Sequence, residues 1–146
     1  MKKFTPIFCN IILIFLSKVF AEESKIIKRI TEGDQNSKIT IIAYESLTCG
    51  HCADFHTNVY PSLKKEFIEK GLVKIEFRHF PLDIAAFNAS KIGQCNNDGN
   101  SDLMHILFSG QKEWAKGKNP KEATNYLKKF LLDVDIKVDV EKCLNN

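Results

Sequence analysis

An α/β fold built on one βαβ unit and continued by helices is what this sequence predicts, on three consecutive stretches. Lys38 to Ser46 is rich in β-branched residues and nearly continuously apolar at its middle, which reads as a strand buried on both faces of a parallel sheet. From Cys52 to Lys70 the spacing becomes helical. Phe55, Val59, Leu63 and Phe67 recur every fourth residue, while Lys64, Lys65, Glu66 and Glu69 cover the other side. Leu72 to Phe80 then alternates Val73, Ile75 and Phe77 inward against Lys74, Glu76 and Arg78 outward, as a second strand does. Strand, helix and strand in this order form a βαβ unit.

The connections and later elements follow from local chemistry. Ile26 to Thr31 is a weak third strand, and Gly33 to Ser37 is a run of turn formers. Pro61 has no N–H for the carbonyl of Thr57, so it is expected to kink the first helix without ending it. Gly71 suits its C-terminus. Beyond the second strand the pattern is helical, over Ile84 to Gln94 and over Ser101 to Trp114. Asn119-Pro120 supplies an N-cap and a proline at the first helical position of the next helix, which carries Tyr126, Leu127, Phe130 and Leu131. Asp139 is expected to cap a short last turn holding Cys143. Phe80, Phe87, Phe108 and Trp114 read as core.

The N-terminus reads as a targeting segment. Lys2 and Lys3 precede an apolar run from Phe4 to Leu16, and Val19-Phe20-Ala21 fits a signal-peptidase site, with cleavage expected after Ala21. The run is shorter than the ~20 apolar residues that span a bilayer. Residues 1–21 are therefore expected to be a cleaved signal peptide and 22–146 one mature domain in the periplasm. Removal of Lys2, Lys3 and Lys18 from the 21 basic residues leaves a side-chain balance of zero against 18 acidic ones. The mature part has no basic face of the kind that nucleic-acid binding requires.

Cys9 leaves with the signal, and Cys49, Cys52, Cys95 and Cys143 remain. Four cysteines in an oxidising compartment can pair in three ways or serve redox chemistry. A four-thiolate zinc site lacks its usual second element, because Cys95 and Cys143 lie 48 residues apart. No metal and no cofactor are expected.

Cys49-Gly50-His51-Cys52 stands where a strand passes into the first turn of a helix. The unpaired N–H groups and partial positive charge of a helix N-terminus favour an anion, so the Cys49 thiol is expected to ionise easily. Cys52, one turn on, is expected to be the more buried, resolving thiol. His51 is placed to tune the thiolate, and Gly50 completes the dipeptide. His56 is expected to pack behind the pair, while His79 and His105 have no assignable partner.

The segment Tyr44-Glu45-Ser46-Leu47-Thr48-Cys49-Gly50-His51-Cys52-Ala53, followed by Phe55-His56, resembles the active-site stretch of DsbA-like proteins of the thioredoxin family. Arg78-His79-Phe80-Pro81-Leu82-Asp83 resembles the strand end that follows it there. The resemblance covers roughly residues 30 to 144. It implies a thioredoxin-like βαβ unit with a helical subdomain inserted at about 84–144, followed by a cis-proline segment and last strands. It implies catalysis by Cys49 and Cys52, and a structural disulfide between Cys95 and Cys143. Substrates would be reduced or misfolded exported polypeptides, with a membrane redox partner for reoxidation. Gly-His stands where many DsbA-like proteins have Pro-His. Neither Pro81 nor Pro120 matches the cis-proline, so the C-terminal strands are expected to be missing. A catalytically weak or inactive exported fragment or binding module of the same family is the competing expectation.

Overall fold

The structure, a computed structural model, describes residues 26–145. The expected signal peptide, residues 1–21, lies outside them. Three strands form one sheet in the order β1-β3-β2, where β1 is Ile30–Glu32, β2 is Ile39–Glu45 and β3 is Val73–His79. β1 runs antiparallel to β3, with Ile30 opposite Phe77. β2 runs parallel to β3, from Ile39 opposite Val73 to Glu45 opposite His79. A parallel pair needs a crossover, and helix α1, residues 50–68, provides it. Gly33 opens the turn between β1 and β2 at φ +98°, and a Cβ there would stand 2.8 Å from the Val73 carbonyl oxygen.

Helix α1 is not a uniform α-helix. It contains two π turns, Phe55–Val59 and Lys64–Ile68. In the first, the Tyr60 N–H reaches back five residues to the Phe55 carbonyl, just before Pro61. The helix passes the proline with an inserted residue, which is one recognised way to absorb a disrupted ladder. An inserted residue also rotates the buried face. The side chains that α1 buries are His56, Tyr60 and Ile68, whereas Val59 and Phe67 are 53% and 47% exposed. Of the four-residue stripe expected from the sequence, Phe55 and Leu63 do pack against the core, while Val59 and Phe67 give way to Tyr60 and Ile68, one position on.

Five further helices follow: α2 Ile84–Gly93, α3 Asp102–Ser109, α4 Gln111–Trp114, α5 Pro120–Asp133 and α6 Val140–Asn145. The single helix expected over Ser101 to Trp114 is divided at Gly110, where the Phe130 ring presses against the backbone. The Asp83, Asn119 and Asp139 side chains accept from the N–H groups of Ala86, Glu122 and Lys142, which fixes the starts of α2, α5 and α6.

The core lies between one face of the sheet and the helices. Ile75 and Phe77 of β3 meet Tyr60, Met104, Leu107, Phe108, Trp114, Leu127 and Leu131 there. Trp114 is fully buried, and its indole N–H is satisfied by the Leu107 carbonyl at 2.8 Å. Two core expectations are corrected, since Phe80 and Phe87 are exposed. The central strand is β3 and not β2. Among the described residues β2 pairs only with β3, and its Ile42 and Tyr44 side chains are exposed. Its expected burial on both faces is therefore not observed. Glu76, expected to face solvent, is buried on the far side of β3 between Arg29 at 3.3 Å and Arg78 at 2.8 Å. Among the described residues no helix is long and apolar enough to cross a membrane.

Candidate active site

The strand β2 ends at Glu45, and Ser46, Leu47 and Thr48 lead to Cys49 at the N-cap of α1. The loop is held from two sides. Gln111 of α4, itself buried, donates from Nε2 to the carbonyls of Leu47 and Cys49, both at 2.9 Å. The Thr48 hydroxyl donates to Asp83 at 2.6 Å, and the Leu82 N–H approaches Ser46 Oγ at 3.3 Å. The loop is thus tied to α4 and to the segment that leads into α2, which fixes its geometry.

Cys49 and Cys52 are both free thiols in this structure and half-buried. The Cys52 N–H points at Cys49 Sγ at 3.4 Å, so the Cys49 sulfur is the side-chain cap of the helix. The Cys49 thiol is held below the ordinary range for a cysteine. The Cys52 thiol donates to it, the Cys52 N–H does so as well, and the His51 N–H adds a smaller share. Partial burial and the Glu45 carboxylate oppose these effects without reversing them. The Cys52 thiol is pushed up to about 11 by burial and by its hydrogen bond to Cys49. One thiol ready to ionise thus stands beside one that keeps its proton.

His51 lies on the exposed side of this turn, and it is its backbone N–H that reaches toward the sulfur. Gly50 faces open space. Cys95, just beyond α2, is joined to Cys143 of α6 with Cα atoms 5.4 Å apart. Among the described residues no cluster of three or more Cys, His, Asp or Glu side chains is arranged to hold a metal ion.

A family model described as Thioredoxin matches residues 25–146. This chain belongs to the thioredoxin family. Within that family it is DsbA-like. Its fold is similar to that of Wolbachia pipientis alpha-DsbA1, with a TM-score of 0.70 and 30% identity, over 83% of this chain and 61% of that one. A Rickettsia bellii relative, provisionally named a protein-disulfide oxidoreductase, is 30% identical over 92 residues, which cover 62% of this chain and 36% of the relative. Disulfide bond formation protein D of Bacillus subtilis is 25% identical over 91 residues, 56% of this chain and 41% of that protein. The chain therefore spans well under half the length of these two relatives. The thioredoxin-like α/β fold expected from the sequence is the one observed.

Several residues that shape this thioredoxin-type site escaped the sequence reading. His105 does have partners: its ring bonds His56 at 2.8 Å and Glu32 at 2.5 Å. His79 is half-buried, and burial holds its imidazole below the usual range against the opposing pull of Glu45. Gln111 and Asp83 act from helices remote in sequence. The available signals were faint. Glu45 is a lone carboxylate closing an apolar strand, and Asp83 stands three residues before Ala86 as an N-cap would.

Proposed function

We propose that this chain is an exported thiol–disulfide oxidoreductase that acts on cysteine pairs of other exported polypeptides through Cys49 and Cys52. The observation that carries the reading is the pairing of opposite thiol tendencies at one helix N-terminus, Cys49 depressed and Cys52 raised. A low thiol pKa makes Cys49 a good leaving group and its disulfide an oxidising one. In the disulfide form, a substrate thiolate attacks Cys49 Sγ and the Cys49–Cys52 bond breaks. Cys52 departs with the electron pair and takes up a proton, which its high pKa favours. A second substrate thiolate then attacks the substrate sulfur of the mixed disulfide, and Cys49 leaves as thiolate. The substrate loses two electrons and the protein gains them.

Reoxidation by a membrane redox partner completes the cycle. The apolar run of residues 4–16 and the site after Ala21 support export to the periplasm. Gly50 and His51 tune the thiolate, chiefly through the backbone of the turn they build. Cys95–Cys143 serves as a structural disulfide clamping α6 to the end of α2. A second reading, a catalytically weak module of the same family, is favoured by the outer edge of β2, which is unpaired among the described residues. Refolding of a reduced, scrambled substrate in a glutathione buffer separates the two. Multiple turnovers per molecule establish the enzyme. A single stoichiometric exchange establishes a weak module and no exchange an inactive one, and either result refutes the enzyme.

A further inference from the structure

Behind the thiols runs a chain of four titratable side chains that the disulfide chemistry does not directly use. Glu45 Oε2 lies 2.8 Å from His56 Nε2, and the two side chains are 8% and 3% exposed. His56 Nδ1 lies 2.8 Å from His105 Nδ1, and His105 Nε2 lies 2.5 Å from Glu32 Oε1. Around them stand groups from every packed element. Glu32 of β1 also accepts from the Tyr60 and Ser101 hydroxyls and pairs with Lys64 at 2.9 Å. Phe108 stacks on His56 with centroids 4.1 Å apart, and Tyr60 stacks on His105 at 4.6 Å. Glu69 bears electrostatically on Tyr60, and Cys49, Cys52 and His79 all feel Glu45.

Counting protons along the chain constrains it. Each of the three contacts needs one hydrogen. Glu32, faced by four donors, is an acceptor only, so His105 Nε2 carries a proton. The facing Nδ1 atoms need one more. The Glu45–His56 contact needs the third, on either partner. Two neutral imidazoles and two carboxylates supply only two. The intact chain therefore holds one extra proton, on the imidazole pair or on Glu45. Either position offsets the Glu45 charge. If that proton leaves, Glu45 becomes an unopposed anion behind the thiols and one hydrogen bond must break.

We propose that His56 and His105 are positioning residues whose shared proton sets the charge presented by Glu45 and thereby modulates the ionisation of Cys49 and Cys52. The proposal rests on the redox reading above. Coupling between sites is reciprocal, so a Cys49 thiolate must in turn favour retention of the shared proton. Proton exchange with solvent proceeds through His105, whose side chain is 22% exposed, and not through buried His56.

Two measurements on the full chain test this. The first follows the ring Cε1–H resonances of His56 and His105 against pH in the oxidised and reduced protein. The two resonances are expected to change together and to respond to the redox state of the thiols. Independent transitions, or a common one indifferent to redox state, would overturn the relay. The second follows the rate of Cys49 alkylation against pH in wild type, His105→Gln, Glu45→Gln and the double variant. His105→Gln is expected to lose one inflection of the profile while labelling remains fast, and to have no further effect once Glu45→Gln is present. Retention of that inflection, or an additional effect in the double variant, overturns the proposal. Slow labelling of Cys49 in wild type at every pH overturns the redox reading itself, and with it the coupling.

Discussion

Cys49 and Cys52 differ by three positions in sequence and by direction in acidity, because only one of them faces the open end of a helix. Cys49 collects N–H groups that have no partner inside α1, whereas Cys52 is part of the turn and half-buried. The sign of the pH dependence follows. A depressed Cys49 remains thiolate as pH falls from the ordinary cysteine range of ~8.5 until its own folded value is reached. Its stabilising contribution to the reduced protein is therefore complete above ~8.5 and lost through that lower window. A brief iodoacetamide pulse at mildly acidic pH is accordingly expected to label Cys49 alone, with Cys52 inert until the pH approaches about 11. Mass mapping checks it, and comparable labelling of both would show that the helix end does not separate them. Gly50 allows a second expectation. Cys49 already has the extended backbone that a residue before proline prefers, at φ −78° and ψ 116°, and a Cβ on Gly50 would meet nothing. Gly50→Pro should fold and gain up to ~1 kcal/mol by restricting the unfolded chain. A denaturant titration that shows a loss would mean that the first turn needs the glycine.

Among the elements, α6 is the one least able to hold itself in place. It has six residues and buries Cys143 alone among its side chains. Helices this short are not stable by propensity, so its position depends on the bond to Cys95 and on contacts along α2. Opening a link across 48 residues should cost ~4 kcal/mol in the chain-entropy model. The double variant Cys95→Ser/Cys143→Ser is expected to lose about that much in urea unfolding, while Cys49 labelling stays unchanged because the site lies at the opposite end of α2. The boundary between α3 and α4 has a different cause. Gly110 is in contact with the Phe130 ring of α5, and a Cβ there would come within 2.1 Å of it. A periodic reading of Ser101 to Trp114 sees one amphipathic run, since the break is made by a side chain twenty residues away.

For the molecule as a whole, the buried ionisable cluster ties the sheet to the helices. Burial would raise the Glu32 carboxyl, yet hydrogen bonds from His105, Ser101 and Tyr60 and the Lys64 contact outweigh it and hold it far below the usual carboxylate range. Burial and the Glu32 carboxylate in turn keep Tyr60 protonated. A depressed carboxylate contributes stability that is fully present above the unfolded value of ~4.3 and lost as pH falls through the folded one. The protein is thus expected to lose stability progressively below about pH 4. Glu32→Gln should cost ~2 kcal/mol at neutral pH and flatten that acid slope. Thermal melts from pH 3 to 7 check both; an unchanged slope would place the acid sensitivity elsewhere, with Asp83 or Glu76 the next carboxylates to test.

Local sequence determined what depends on neighbours along the chain. The two main strands, the caps at Asn119 and Asp139, the turn after Gly33 and the Cys49–Cys52 pair at a helix start were all legible, because hydrogen bonding and periodicity within a few residues suffice to specify them. The sheet order, with β3 central and β2 at an edge among the described residues, was not, since pairing partners are chosen by packing across the fold. The rotated face of α1 was hidden because an inserted π turn leaves composition unchanged while shifting every later side chain. The His56–His105 pair and its two carboxylates join positions from 32 to 105, and a polar residue's burial carries no signature in its own neighbourhood. Tertiary structure alone decided which histidines meet, and so which charges stand behind the thiols.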